Sequence, residues 1–148
     1  GFHTSMIESS MIINDRMPEY TVERTSKILN RFKKSMNSSK ILVLGVAYKQ
    51  DIDDYRESPA LKVIEFLKKS GADVRYFDPW VLKYRYNGYE YQSISEINEE
   101  IVKEFDIVLI TAAHTNIDYE MLQRSAKMIF DTKNVMKNIK ERENIEVL

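Results

Sequence analysis

The chain has 148 residues, 43% of them apolar and 30% charged, with a net charge of −1, a balance that gives a globular domain with a sizeable core and excludes a disordered one. The near-neutral charge argues against nucleic-acid binding, which calls for a strongly basic face. Without cysteine there is no disulfide, thiolate nucleophile or thiolate metal site, and His3 and His114 stand too far apart for a metal-ligand motif.

In chain order, Met6, Ile7, Met11, Ile12 and Ile13 make a helical stripe that resumes at Val22, Ile28, Leu29 and Phe32. Pro18 is expected to kink this helix or restart it, since proline lacks the N–H and crowds the preceding turn. After the polar break Asn37-Ser38-Ser39, the run KILVLGVAY reads as a strand buried on both faces of a parallel sheet. Ser58 and Pro59 suit a helix N-cap and first turn; Leu61, Ile64 and Leu67 form its inner face, and Gly71 suits its C-terminal cap.

DVRYFDP is a second strand, followed by a turn at Asp78-Pro79-Trp80 with the tryptophan as an anchor. The tyrosines of residues 84–91 read as a loop or short strand packed on its own domain. Residues 93–104 predict a charged helix beginning at Ser93 or Ser95. FDIVLITAA, a short helix over 117–125 and the strand of KMIFDTKN complete the pattern. Strands alternating with helices give an α/β fold, a Rossmann-like doubly wound parallel sheet preceded by a long helix. The longest apolar run, residues 107–113, is too short to cross a bilayer. Residues 1–16 lack the basic start and apolar core of a signal peptide. With no initial Met and a start partway into a helical pattern, the chain reads as a fragment of a larger cytoplasmic protein.

Ligands of such sheets sit at the carboxyl ends of the strands, where the chain order reverses, so the strand-to-helix loops carry the function. The first of them, GVAYKQDIDDYRESP (residues 45–59), has more charge than turning requires. It lacks the G-x-G-x-x-G cradle for a pyrophosphate, but Lys49 as a point charge and Arg56 as a planar fork suit phosphate. The helix start at Ser58 adds partial positive charge, and Asp51, Asp53, Asp54 and Glu57 would orient the cations. The competing reading is a set of solvated surface pairs. Lys133, after the fourth strand, belongs on the same rim as Lys49 unless it is an ordinary surface lysine. His114 is read as structural.

The same stretch resembles the G-x-[AS]-[FY]-K-x-x-x-x-D-x-R-E-S-P signature of the nucleotide-sugar 6-dehydrogenases, the UDP-glucose and GDP-mannose dehydrogenase family. GFHTSMIESSMIINDRMPEYTVERT resembles the end of that family's central helix. DVRYFDPWV and MIFDTKN resemble strands of its C-terminal, UDP-binding domain, and MPEY and DTKN are closer to the branch acting on UDP-N-acetylhexosamines than to the UDP-glucose branch.

The resemblance implies two domains' worth of chain, residues 1–36 as the end of the central dimer and linker helix and 37–148 as the UDP-sugar-binding Rossmann-like domain. It implies a full-length enzyme of polysaccharide biosynthesis, a homodimer acting without membrane or nucleic acid. That enzyme oxidises the C6 alcohol of a UDP-sugar to a uronate in two NAD-dependent hydride transfers through a covalent cysteine intermediate. NAD is held mainly by an N-terminal domain, the partner of this one, which alone carries no catalytic residue and no metal. Tyr48, Lys49 and Lys133 then fall where the family contacts the nucleotide sugar, and Arg56 where it reaches towards the NAD phosphates. Lysine at 133 replaces the commoner arginine. A different class, the phosphoacceptor signalling domain, has an acidic cluster after the first strand, a hydroxyl such as Thr111 and a lysine such as Lys133. Here the aspartates come several residues too late, and Asp78 follows the second strand where the third is needed.

Overall fold

A computed structural model describes residues 2–48, 51 and 53–148, with side chains from Arg16 onward. Five parallel strands form one sheet in the order β2-β1-β5-β6-β7. They are β1 (Lys40–Leu44), β2 (Asp73–Phe77), β5 (Ile107–Ile110), β6 (Ile129–Asp131) and β7 (Ile145–Val147). β1 pairs with β2 on one side and with β5 on the other, so the order reverses at β1 and the loops after β1 and β5 flank the switch point. The continuous apolar run of β1 is explained by this central place: Ile41, Leu42 and Val43 are wholly buried, because helices cover both faces.

On one face α1 (Phe2–Arg31) and α2 (Pro59–Lys69) cover Ile41, Val43, Leu109 and Phe130; on the other α3 (Glu99–Lys103) and α4 (Tyr119–Ser125) cover Leu42, Leu44, Val108 and Ile129. The C-terminal part of α1 belongs to the first core through Ile28 and Leu29. It also reaches the edge of the sheet, where Arg24 donates to Glu146 at 3.2 Å and to the Val147 carbonyl at 2.9 Å. The helix does not restart at Pro18, which lies buried inside it; packing of the following turns on the sheet offsets the bond that proline removes.

Two expectations differ from the structure, and one strand lies outside them. The helix expected from Ser93 or Ser95 begins only at Glu99, with Asn98 as its N-cap accepting from the Ile101 N–H at 2.9 Å. Residues 93 and 94 are spent elsewhere: the Ser93 N–H donates to the Leu82 carbonyl and the Ile94 N–H to that of Tyr76, which holds this segment extended beside β2. Residues 83–92 form an antiparallel hairpin of β3 (Lys83–Tyr86) and β4 (Tyr89–Gln92), turned by Asn87 and Gly88, both at positive φ as a two-residue turn requires. Its Tyr84 is buried and stacks on Tyr91 with ring centroids 4.8 Å apart, in keeping with the expected packing on its own domain. β7 was not expected at all; it adds a fifth strand beside β6.

Candidate functional site

The carboxyl ends of β1, β5 and β6 open into a cleft of about 810 Å³. Tyr48 stands there after β1, Thr111 after β5, and Thr132 and Lys133 after β6; Pro18 and Thr21 of α1 close one side and the start of α2 another. Tyr48 is half exposed, a flat surface beside open space. Lys133 is exposed and enters no ion pair among the described residues. Its position is set by Asp131, a buried carboxylate that accepts from the N–H groups of Lys133 at 3.1 Å, Val135 at 3.2 Å and Met136 at 2.8 Å. The apolar strand thus ends in an aspartate that ties the next turn back onto itself, with Asn134 at positive φ, and leaves the lysine outward.

Of the four residues singled out by the sequence, the structure brings Tyr48 and Lys133 together on one cleft. Lys49 lies outside the described residues. Arg56 does not line the cleft. Its side chain is largely exposed and held by Asp54, which accepts from Nε at 3.2 Å, Nη2 at 3.4 Å and the Arg56 N–H at 3.0 Å. The Arg56 hydrogen bonds, side chain first, hold the Asp54 carboxyl below its ordinary range. An oriented guanidinium is therefore present, displayed to solvent beside the cleft loop.

The helix start contributes less than the sequence suggests. Ser58 caps α2, accepting from the Ala60 N–H at 3.3 Å, Pro59 has no N–H, and the Leu61 N–H returns to the Ser58 carbonyl at 3.2 Å. The first turn offers its field but no free donor at these three positions. Glu57 also faces the cleft, as does Lys62 of α2, so its charge is mixed, with Lys133 and Lys62 as the cations that favour an anion there.

Two residues read as a turn and as a structural histidine prove to organise the loop. Asp78, wholly buried after β2, accepts through Oδ2 from the N–H groups of Val46 at 2.8 Å and Ala47 at 3.1 Å, and through Oδ1 from those of Trp80 at 2.8 Å and Val81 at 3.2 Å. His114, buried after β5, accepts at Nδ1 from the Asp51 N–H at 2.8 Å. Its proton therefore sits on Nε2, 3.0 Å from Asp78 Oδ2. Burial alone would push the Asp78 carboxyl up; the His114 hydrogen bond and the backbone donors outweigh it and hold Asp78 below the ordinary carboxylate range. The Asp51 carboxylate in turn accepts from the Thr115 N–H at 2.9 Å and hydroxyl at 2.8 Å. Trp80, expected as an anchor, is 44% exposed; the buried aspartate before it does the anchoring. Gly45 is required where the two loops meet, since it has φ +91° and an added Cβ would lie 2.9 Å from the Ala112 nitrogen.

Residues 42–138 match the model of the UDP-glucose/GDP-mannose dehydrogenase family, UDP binding domain. The UDP-N-acetyl-D-mannosamine dehydrogenase of Methanocaldococcus jannaschii is 31% identical over 98% of this chain and 33% of its own length. The UDP-glucose 6-dehydrogenase of Rickettsia bellii is 26% identical over 90% of the chain and 32% of its own. Among solved structures, an NDP-N-acetyl-D-galactosaminuronic acid dehydrogenase from Methanosarcina mazei superposes with a TM-score of 0.74 at 28% identity, covering 92% of this chain and 29% of that one. The chain spans about a third of the length of the relatives it matches. None of these findings supports a phosphoacceptor domain.

Proposed function

The chain belongs to the UDP-glucose/GDP-mannose dehydrogenase family, matching its UDP-binding domain, and from that premise we propose that it forms the nucleotide-sugar-binding part of an NAD-dependent UDP-sugar 6-dehydrogenase. One observation carries the proposal: Tyr48 after β1 and Lys133 after β6 line the same cleft at the carboxyl ends of parallel strands that flank β5, where α/β sheets hold nucleotides. Tyr48, Lys49 and Lys133 would hold the UDP-sugar, with Lys133 as a point charge for a phosphate. Arg56, carried on the outer part of the same loop, would reach the phosphates of an NAD bound mainly by an N-terminal domain. The substrate is a UDP-sugar, UDP-glucose or a UDP-N-acetylhexosamine, and the second of these is favoured by the MPEY and DTKN segments. Residues 1–36 would continue the central helix of a cytoplasmic homodimer, and the product uronate would enter polysaccharide biosynthesis.

Titration of the chain with UDP, followed by amide chemical shifts, tests the site. Perturbations are expected at residues 45–48 and 131–134; perturbations confined to the amino ends of the strands would defeat the assignment.

A second test separates the two ligands in a full-length enzyme. Arg56→Lys keeps the charge but loses the fork, and is expected to weaken NAD use by about tenfold or more, the worth of a charge-assisted hydrogen bond. Lys133→Ala is expected to act on the UDP-sugar dependence instead. Both side chains are exposed, so folding should survive. Steady-state kinetics varying each ligand separately read the difference. An unchanged NAD dependence in Arg56→Lys would leave Arg56 as the solvent-exposed partner of Asp54 and nothing more.

A further inference from the structure

The β1–α2 loop that carries Tyr48 is held by its own residues, the Tyr48 N–H donating to the Asp54 carbonyl at 2.6 Å, and also by two side chains that follow other strands. Asp78 comes from the end of β2 and His114 from the end of β5, the neighbours of β1 on its two sides. Between them they take up the N–H groups of Val46, Ala47 and Asp51, positions that bracket Tyr48. They are joined to each other by the Nε2–Oδ2 hydrogen bond of 3.0 Å. Both side chains are buried, and neither lines the cleft, so they act at one remove from any ligand.

We propose that Asp78 and His114 are positioning residues, a cross-strand clamp that holds the β1–α2 loop in the conformation that binds the nucleotide sugar. The inference rests on the UDP-binding reading above. Its physical basis is preorganisation: a loop fixed before the ligand arrives spends none of the binding free energy on ordering. Neutral His114 is the element that sets the geometry, because one ring nitrogen accepts from the loop while the other donates to the carboxylate. The Asp51–Thr115 hydrogen bonds tie the middle of the same loop to the β5–α4 loop, so the two connections flanking the switch point are bonded to each other.

The experiment measures UDP affinity by calorimetry and melting temperature by scanning calorimetry, on the wild-type chain and on His114→Leu, His114→Gln and Thr115→Val. Leucine fills the site but leaves the Asp51 N–H and one lone pair of Asp78 without a partner. Glutamine keeps a donor and an acceptor on one side chain. The expected result is UDP affinity about tenfold weaker in His114→Leu and restored to within about threefold in His114→Gln, from the cost of an orphaned buried group. Thr115→Val, at an exposed position, is expected to weaken UDP about threefold without a change in melting temperature, and keeps the test alive if His114→Leu does not fold. Wild-type affinity in Thr115→Val, or in a folded His114→Leu, overturns the clamp. So does equal weakening in His114→Gln and His114→Leu tracking their melting temperatures, since that is a structural role alone. Failure of the wild type to bind UDP would fell the UDP-binding reading and the clamp together. Wild-type binding with unaffected variants fells the clamp only.

Discussion

NADH production from a UDP-sugar by these 148 residues alone is expected to be undetectable. The oxidation of an alcohol to a carboxylate by two hydride transfers needs a covalent thiol intermediate in the family that the sequence resembles, and the chain has no cysteine. Its four glycines stand at 1, 45, 71 and 88, so no G-x-G-x-x-G turn is present to cradle a dinucleotide. Loss of the nucleophile alone costs on the order of a millionfold in a well-measured hydrolase; loss of the cofactor site compounds it. A spectrophotometric assay at 340 nm would read the result, with UDP-glucose and UDP-N-acetylmannosamine supplied in turn. Turnover above the background of a heat-treated sample would show that the chain carries chemistry of its own, and would dismiss its reading as a binding part.

Asp78→Ala is expected to destabilise the fold by about 3 kcal/mol or more, the sum of several buried donors left without an acceptor. Four backbone N–H groups and the His114 imidazole converge on that carboxylate, and it is wholly buried. Against a domain stability of about 5–15 kcal/mol, the loss leaves a marginal protein. The pH dependence has a definite sign. The folded carboxyl titrates below its ordinary value, so its stabilisation is complete above the unfolded value of about 3.9 and fades as the pH falls through the lower folded value. Urea unfolding midpoints from pH 7 down to pH 3 check both statements. The wild type should lose more stability below about pH 4 than Asp78→Asn, which has no carboxyl to titrate at this place. A parallel decline in the two proteins would mean that other carboxylates, Asp106 beside Lys34 among them, carry the acid sensitivity.

Much of the architecture was legible in the chain because the relevant signals are local. The buried run at β1, the Ser58-Pro59 helix start and the alternation of strand and helix depend on neighbours within a few residues, and the structure has all three. The Asn87-Gly88 turn was a signal of the same kind, and a stricter reading would have found the β3–β4 hairpin from it. The late start of α3 was not legible in this way. Ser93 has the composition of an N-cap, yet its hydroxyl accepts from the Asp78 N–H at 3.0 Å, and that competitor lies on another strand.

For the site, the sequence by itself determined the charge and chemistry of the loops: the density of cations and carboxylates over 45–59, a lysine after the fourth strand, and no thiol. Only the tertiary structure decided which of these side chains meet. Tyr48 and Lys133 are 85 positions apart and share a cleft because parallel β1, β5 and β6 deliver their carboxyl ends to one rim. Arg56, eight positions from Tyr48, is turned away to Asp54. Asp78 and His114 are 36 positions apart and each is unremarkable in its own segment. A carboxylate becomes a clamp only when folding removes water from it and leaves backbone N–H groups and the His114 imidazole as its partners. That condition belongs to the packed sheet and to no stretch of sequence.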